Sequence, residues 1–254
     1  MLNGKRILAV VPARSGSKGI PHKNLQPLQG ISLIGWAGRT LQAVSFLDAR
    51  VISTDSPAYA REGARYGLDA PFLRPRTLST DRAAAIDVAR HALLACEAHF
   101  GTRFDVLLLI EPTSPLRQPE DVARATRRLL RTGADSVVTV SPLPVKSHPD
   151  KLLTIQTGRL RFLTEAGRRI QRRQNLRGGL YWRNGLCYAL TRTCVLERRA
   201  IITARSVADV VRRPVANIDD ALDLAWAEFL CARQEDAGTR NEGRRRVPQL
   251  AANR

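Results

Sequence analysis

The stretch at residues 13–24 gathers residue types that bind anions. Small residues and cations follow one another closely in it, namely Ser15, Gly16, Ser17 and Gly19 together with Arg14, Lys18 and Lys23. Glycines let a backbone approach a ligand, and successive N–H groups near cations form an anion-binding concavity. The stretch follows an apolar run, residues 7–11, at the point where open α/β folds bind ligands. It favours a loop for a triphosphate, with a solvated strand-to-helix turn as the alternative.

The glycine spacing differs from the two commonest nucleotide-binding signatures. A P-loop requires Gly-x-x-x-x-Gly-Lys-Ser/Thr, and a dinucleotide fingerprint requires Gly-x-Gly-x-x-Gly. Neither spacing occurs in this loop. Asp55 follows the glycines at nearly twice the interval of about 20 residues expected for a ribose contact. Because Asp55 precedes Ser-Pro, we expect it to cap a helix over residues 57–66.

A second polar segment follows the most apolar run of the chain. Residues 104–110, Phe-Asp-Val-Leu-Leu-Leu-Ile, have the pattern of a central parallel strand that is buried on both faces. Glu111, Thr113 and Ser114 come directly after it. Since open α/β sheets hold substrates at such strand ends, these side chains are candidates for substrate contact.

Strands and helices alternate through the first 140 residues and again after residue 186, which predicts one large α/β domain over residues 1–233. Thr80 or Asp81 is expected to cap a helix over residues 83–99. Residues 143–185 lose the alternation and include a hairpin around Gly158. Residues 234–254 lack periodicity, which predicts a disordered basic tail.

The composition is that of a folded globular protein, but its charge is unusual. The 254 residues are 44% hydrophobic and carry a formal net charge of +18. Such a charge makes nucleic acid a candidate partner, yet the arginines are scattered and only 5% of residues are aromatic, unlike a base-stacking surface. Neither a membrane span nor a signal peptide is expected. The four cysteines lie far apart, which favours reduced thiols in the cytoplasm.

The order of motifs resembles that of the CMP-N-acylneuraminate synthetases. Their opening Ala-Arg-x-x-Ser-Lys-Gly-x-Pro-x-Lys-Asn corresponds here to Ala13, Arg14, Ser17, Lys18, Gly19, Pro21, Lys23 and Asn24. A Pro-Thr-Ser-Pro-Leu-Arg turn, an Asn-Gly element and an Ile-Asp segment before a helix follow in family order, over about residues 6–230. The resemblance implies a Rossmann-like α/β nucleotidyltransferase, with a mainly parallel sheet, helices on both faces and a small dimerisation excursion at about residues 143–185.

The resemblance also implies an activity and a site. The family transfers CMP from CTP to an acidic acceptor, a sialic or nonulosonic-type sugar acid, and releases pyrophosphate. The implied catalytic residues are Arg14, Lys23 and Asp219. The implied nucleotide contacts are Ala13, Arg14, Ser17, Lys18, Asn24 and Arg74. The implied acceptor contacts are Glu111, Thr113, Ser114, Arg172, Arg173, Arg183 and Asn184. Asp219 and Asn217 are the implied Mg²⁺ ligands, and a homodimer is expected.

Two residues depart from the family pattern. Glu111 replaces a glutamine that faces the sugar acid, and Asn217 replaces the first of two metal-binding aspartates. A carboxylate at residue 111 repels an acidic acceptor unless it meets an amine, a hydroxyl or an arginine. The acceptor therefore stays open between a sugar acid and a small phosphonate or other acid, and GTP stays open as the donor. A nucleic-acid-binding protein on a degenerate scaffold and an inactive nucleotide-binding regulator are the alternatives of another class.

Overall fold

A computed structural model describes residues 1–17, 19–170, 172–176 and 178–245 of the chain, with the side chains of Arg173 and of residues 234–245 outside the description. Its strands in this range are β1 (Ile7–Pro12), β2 (Pro27–Leu28), β3 (Ile31–Ser32), β4 (Ala49–Ser53), β5 (Val106–Leu109), β6 (Ser136–Pro142), β7 (Leu153–Gln156), β8 (Arg159–Phe162), β9 (Tyr181–Thr191) and β10 (Ser206–Val210). Its α-helices are α1 (Leu33–Gln42), α2 (Pro57–Arg65), α3 (Ala85–Phe100), α4 (Pro119–Thr132) and α5 (Ala221–Arg245).

Six strands form the central sheet, in the order β10-β6-β9-β5-β1-β4. β1 pairs in parallel with β4 and β5, and β6 pairs in parallel with β10. β9 runs antiparallel between β5 and β6. The predicted α/β fold with a mainly parallel sheet is confirmed, and the strand at residues 104–110 has one parallel and one antiparallel neighbour.

Helices cover both faces of this sheet because successive residues of each strand point to opposite sides. Ile7, Ala9 and Val11 of β1 pack into a cluster with α1 and α4. Leu8 and Val10 pack into a second cluster with α3. All five side chains are fully buried, so β1 lies at the centre of the core and its carboxyl end is held rigidly.

Residues 143–180 leave the sheet after β6 and return to it at β9. Within them β7 and β8 form the predicted hairpin around Gly158, and among the described residues they pair only with each other. Its apolar side chains face solvent, with Ile155 74% and Leu160 67% exposed.

Two predicted helix caps are wrong. Ser56, not Asp55, is the N-cap of α2, and its side chain accepts a hydrogen bond from the Tyr59 N–H. Ala84 is the N-cap of α3 and provides no side-chain bond, so neither Thr80 nor Asp81 caps this helix. The carboxylates of Asp55 and Asp81 instead contact residues of the loop after β1, as described below.

α5 extends to Arg245, well past the predicted end near residue 233. Its added residues include the helix formers glutamine, glutamate, alanine and arginine, and residues 234–247 contain no proline. Residues 246–254 of the predicted tail lie outside the described residues. In the described part of the chain, every helix is too short or too polar to span a bilayer.

Candidate active site

A cleft of about 400 Å³ opens at the carboxyl ends of β1 and β5. It is lined by residues of the loop after β1, the loop before α3, the turn after β5 and the segment before α5, among them Arg14, Ser17, Gly19, Lys23, Asn24, Arg74, Asp81, Glu111, Thr113 and Asp219. Eight of the sixteen site residues that the sequence predicts therefore meet in one place. This is the edge at which α/β sheets of this kind bind ligands.

The loop after β1 is held in shape by hydrogen bonds to its own chain and to β4. The Ala13 N–H donates to the Ser53 carbonyl at 2.9 Å, continuing the ladder of β1. Asp55 accepts from both the N–H and the hydroxyl of Ser15, each at 2.9 Å. The buried Asn24 donates from Nδ2 to the Arg14 carbonyl at 3.1 Å. Ala13 and Asn24 thus fix the loop, while Arg14 and Ser17 line the cleft.

Two arginines bring positive charge to the cleft. Arg14 Nη1 lies 2.6 Å from Asp81 Oδ1, which orients the guanidinium from the opposite loop. Arg74 is 5% exposed and donates from Nε to the Ser79 hydroxyl at 3.2 Å. Burial lowers the pKa of Arg74 from its ordinary value. An anion entering the cleft would compensate this buried charge.

Lys23 and Asp219 join the first loop to the segment before α5. The Lys23 Nζ lies 2.8 Å from Asp219 Oδ1, and the Asp219 side chain is 78% exposed. Gly19 packs against the same segment, because a Cβ there would overlap the Asp219 carbonyl oxygen. The anion-binding loop and Asp219 are therefore one assembled unit.

Glu111 presents a carboxyl group to the cleft from the end of β5. The hydroxyl of Tyr188 on β9 donates a hydrogen bond to it. Gly185 leaves the space that the carboxyl occupies, since a Cβ there would overlap Glu111 Oε2. Burial raises the pKa of Glu111, although Arg117, the Tyr188 hydrogen bond and Arg183 act in the opposite direction.

Ser114 and Asn184, both predicted acceptor contacts, lie behind the wall of the cleft. Each is fully buried, and Ser114 Oγ donates to the Asn184 carbonyl at 2.8 Å. Asn184 Nδ2 donates to Ser141 Oγ at 3.0 Å. Arg117, buried beside them, donates to the Glu111 carbonyl at 2.5 Å, and burial holds its pKa at about 10, below its ordinary value. These residues support the turn that carries Glu111.

Other predicted site residues are not brought into this cleft. Arg172 and Arg183 are exposed and lie outside its lining. Asn217 lines a second cleft of about 490 Å³ beside Trp182 and Trp226. Its Oδ1 is buried without a hydrogen-bond partner among the described residues. The predictions for Lys18 and for the Arg173 side chain fall outside the described residues.

The carboxylates of the cleft determine whether it can hold Mg²⁺. Among the described residues, no group of three or more His, Cys, Asp or Glu side chains is arranged to hold a metal ion. Mg²⁺ in nucleotide enzymes is held by one or two carboxylates and by substrate phosphates, and it retains water. The exposed Asp219 carboxylate meets that requirement. The residues therefore fit a metal ion that arrives with a triphosphate.

Comparison with known proteins adds to this geometry. The cytidylyltransferase family model matches residues 8–151. The CMP-N,N'-diacetyllegionaminic acid synthase of Legionella pneumophila subsp. pneumophila is 31% identical over 222 residues, which cover 87% of this chain and 94% of that protein. The N-acylneuraminate cytidylyltransferase of Streptococcus agalactiae serotype V is 28% identical over 203 residues, 79% of this chain and 47% of that protein. A solved CMP:2-keto-3-deoxy-manno-octonic acid synthetase in complex with CTP has a TM-score of 0.63 at 16% identity, covering 90% of this chain and 99% of that one.

The mainly parallel six-stranded sheet with helices on both faces is an α/β fold, and the solved synthetase shares it. The chain belongs to the cytidylyltransferase family, and its relatives confirm the predicted membership among the CMP-N-acylneuraminate synthetases. It is thus an enzyme of nucleotidyl transfer.

Sequence reasoning missed the residues that orient the site from behind. Asp55 and Asp81 were interpreted as helix caps, but they hold Ser15 and Arg14. Tyr188, which donates to Glu111, was absent from the predicted site. Its one signal was a phenol within the otherwise apolar run Leu-Cys-Tyr-Ala-Leu, since a buried tyrosine hydroxyl usually has a partner.

Proposed function

We propose that this protein transfers CMP from CTP to a nonulosonic-type sugar acid, releases pyrophosphate, and requires Mg²⁺. The observation that supports the proposal is that Arg14, Lys23 and Asp219 line the same cleft as Glu111. The Legionella pneumophila relative is named for its product, CMP-N,N'-diacetyllegionaminic acid, which makes acylated sugar acids the first class to test.

The proposed chemistry is an in-line attack of an acceptor oxygen on the α-phosphorus of CTP. Arg14 and Lys23 bind and orient the α-phosphate and the departing pyrophosphate, because fixed cations stabilise the charge that develops on these oxygens. Asp219 would hold Mg²⁺, which when bound offsets phosphate charge. Arg74 and Ser17 line two sides of the cleft and would contact the nucleotide.

We also propose that the protein is a homodimer formed through residues 143–180. The exposed apolar side chains of the β7–β8 hairpin support this, since contiguous apolar surface marks interaction sites. Arg172, which lies outside the cleft of its own chain, would meet the acceptor carboxylate from this interface. Arg183 on β9 acts on Glu111 of its own chain and would meet the acceptor carboxylate from there. Reduced, buried cysteines support a cytoplasmic location, where CTP is available.

The test is pyrophosphate release in the presence of Mg²⁺. CTP, GTP, UTP and ATP are each combined with N,N'-diacetyllegionaminic, N-acetylneuraminic and deoxyoctulosonic acids and with small phosphonates. We expect release with CTP and a sugar acid. Release with GTP only, or with a phosphonate only, would replace the proposed donor or acceptor. Silence with every pair would overturn the proposed function.

Two variants and one control locate the chemistry. Arg14→Ala and Asp219→Ala are expected to lose turnover while their circular dichroism stays that of the wild type. Arg65→Ala removes an exposed arginine of α2 and should leave turnover unchanged. Wild-type rates in Arg14→Ala or Asp219→Ala would contradict the role assigned to that residue.

A further inference from the structure

We propose that Glu111 is the general base of this enzyme and removes the proton of the acceptor hydroxyl during CMP transfer. This inference rests on the proposed function and adds a catalytic residue to it. A glutamine, which the resembling family carries at this position, cannot accept that proton at neutral pH.

The transfer step requires a proton acceptor. The acceptor oxygen forms a bond to the α-phosphorus of CTP, and the bond from that phosphorus to the bridging oxygen of pyrophosphate breaks. The hydroxyl proton passes to a Glu111 carboxylate oxygen and is later released to solvent. Charge and atoms balance with CTP and the acid as the sole reactants. Positioned bases of this kind typically contribute about 10²–10⁴-fold to a rate.

The location of Glu111 meets this requirement. Its side chain lines the same cleft as Arg14, Lys23 and Asp219, so an acceptor beside it also lies beside the phosphate-binding residues. Asp81 lines the cleft too, but its carboxylate forms an ion pair with Arg14. Asp219 forms an ion pair with Lys23.

The carboxyl group of Glu111 is held in one orientation by its surroundings. Tyr188 on β9 donates a hydrogen bond to it, and Gly185 leaves room for Oε2 because a glycine has no Cβ. Arg117 binds the Glu111 carbonyl rather than its carboxylate, which leaves the carboxylate available to a substrate. Tyr188 is thus a positioning residue for the base.

Burial and the neighbouring polar and charged groups determine the pKa of Glu111. Burial, the largest cause, raises its pKa, and the negative charge of Asp219 acts in the same direction only while that carboxylate holds no metal ion. Arg117, the Tyr188 hydrogen bond and Arg183 lower it. The net effect is a pKa above the ordinary value of a glutamate, closer to neutral pH, where a general base is most effective.

The pH dependence of kcat tests the inference in wild type, Glu111→Gln, Tyr188→Phe and the control Glu120→Gln. Glu111→Gln should lower kcat by about 100-fold or more and remove the acidic limb of the profile, with CTP affinity unchanged. Tyr188→Phe should move that limb to higher pH, because the lost hydrogen bond had favoured the carboxylate. Glu120→Gln removes an exposed carboxylate of α4 and should match the wild type.

The outcomes separate this inference from the function on which it rests. A wild type that turns over CTP and a sugar acid, with Glu111→Gln equally active, would overturn the general base and leave the transfer reaction intact. A Glu111→Gln variant that regains the wild-type rate at high Mg²⁺ would assign Glu111 to the metal and also overturn it. A wild type without pyrophosphate release from any pair overturns the proposed function and the inference together.

Discussion

Individual residues in the cleft are constrained by backbone as much as by charge. Gly19 packs directly against the backbone of Asp219, and Gly185 packs against the carboxyl of Glu111. Both glycines were visible in the sequence, but a sequence does not show which distant segment approaches them. Their role is to let two loops meet closely enough for a small ligand to touch both.

The Gly19 contact gives a prediction at the residue scale. Gly19→Ala places a Cβ on the Asp219 carbonyl and should force the two loops apart, because backbone cannot move aside as a side chain can. We expect a rise in the KM for CTP and a fall in kcat, with the fold retained. Steady-state kinetics measures both. Gly178→Ala is the matched control, because neither glycine has a positive φ and Gly178 has open space where its Cβ would lie. Wild-type kinetics in Gly19→Ala would contradict the contact.

A second prediction concerns the stability contributed by Glu111. A carboxyl whose pKa is raised by burial stabilises the fold fully at low pH, and this contribution is lost as pH rises through the folded-state pKa. Glu111→Gln has no such loss. The Tm of Glu111→Gln minus that of the wild type should therefore grow between pH 4 and pH 8. Differential scanning calorimetry across this range measures it, and a constant or shrinking difference would contradict the burial of the carboxyl.

At the scale of elements, ion pairs join helices to the sheet. Arg192, at the end of β9, donates to both carboxylate oxygens of Glu97 on α3, at 2.9 and 3.0 Å. Burial raises the pKa of Glu97. The hydrogen bonds from Arg192 and from the Phe104 N–H lower it by more, so the net pKa is below its ordinary value. This pair anchors α3, whose preceding loop carries Arg74 and Asp81.

Removal of this anchor should destabilise the protein in a pH-dependent manner. Arg192→Ala is expected to lower the free energy of unfolding by about 1–3 kcal/mol at pH 7. A lowered carboxyl pKa gives stability that is present above the unfolded pKa, about 4.3, and is lost as pH falls through the folded pKa. The difference should therefore shrink below pH 4. Urea unfolding at pH 7 and pH 3.5 measures it, with the exposed Arg65→Ala as control.

Elements were easier to predict than the contacts between them. Apolar runs such as residues 7–11 and 104–110 fixed the strands because burial on both faces leaves a continuous hydrophobic pattern. The caps at Asp55 and Asp81 could not be decided, since a carboxylate before a helix can accept from a local N–H group, from a distant N–H or hydroxyl group, or pair with a distant cation. Tertiary competition, here from Ser15 and Arg14, determined the outcome. The position of β9 between β5 and β6 was equally inaccessible to local patterns.

For the whole molecule, assembly is the property to test first. Ile155→Asp with Leu160→Asp places charge on the exposed face of the β7–β8 hairpin, which should prevent association if that face forms the dimer interface. We expect a dimer for the wild type and a monomer for the double variant in sedimentation equilibrium. Arg159→Asp with Arg161→Asp, on the same hairpin, controls for changed charge. A monomeric wild type would contradict the proposed interface.

The net charge of +18 is also a property of the whole molecule. Several of the cations have carboxylate partners, since Arg124 and Arg127 on α4 form ion pairs with Asp209 and Glu120, and the arginines of the excess are scattered along the sequence. We therefore expect DNA binding to be weak and to vanish between 50 and about 200 mM salt, because phosphate contacts are lost with counterion competition. Metal-dependent CTP binding should persist over that range. Gel shift and calorimetry compare the two, and salt-resistant DNA binding would favour the nucleic-acid alternative.

The antiparallel strand β9 has a consequence for the growing polypeptide. In the described part of the chain, β5 and β6 are connected within the sheet only by β9, whose first residue, Tyr181, comes 39 residues after the last residue of β6, Pro142. Until β9 emerges from the ribosome, the edge of β5 and the edge of β6 that will pair with it stay unpaired. Unpaired apolar strand edges favour aggregation. Emergence of residue 191 therefore lets β9 cover these two edges, and the other edge of β6 stays unpaired until β10 (Ser206–Val210) follows.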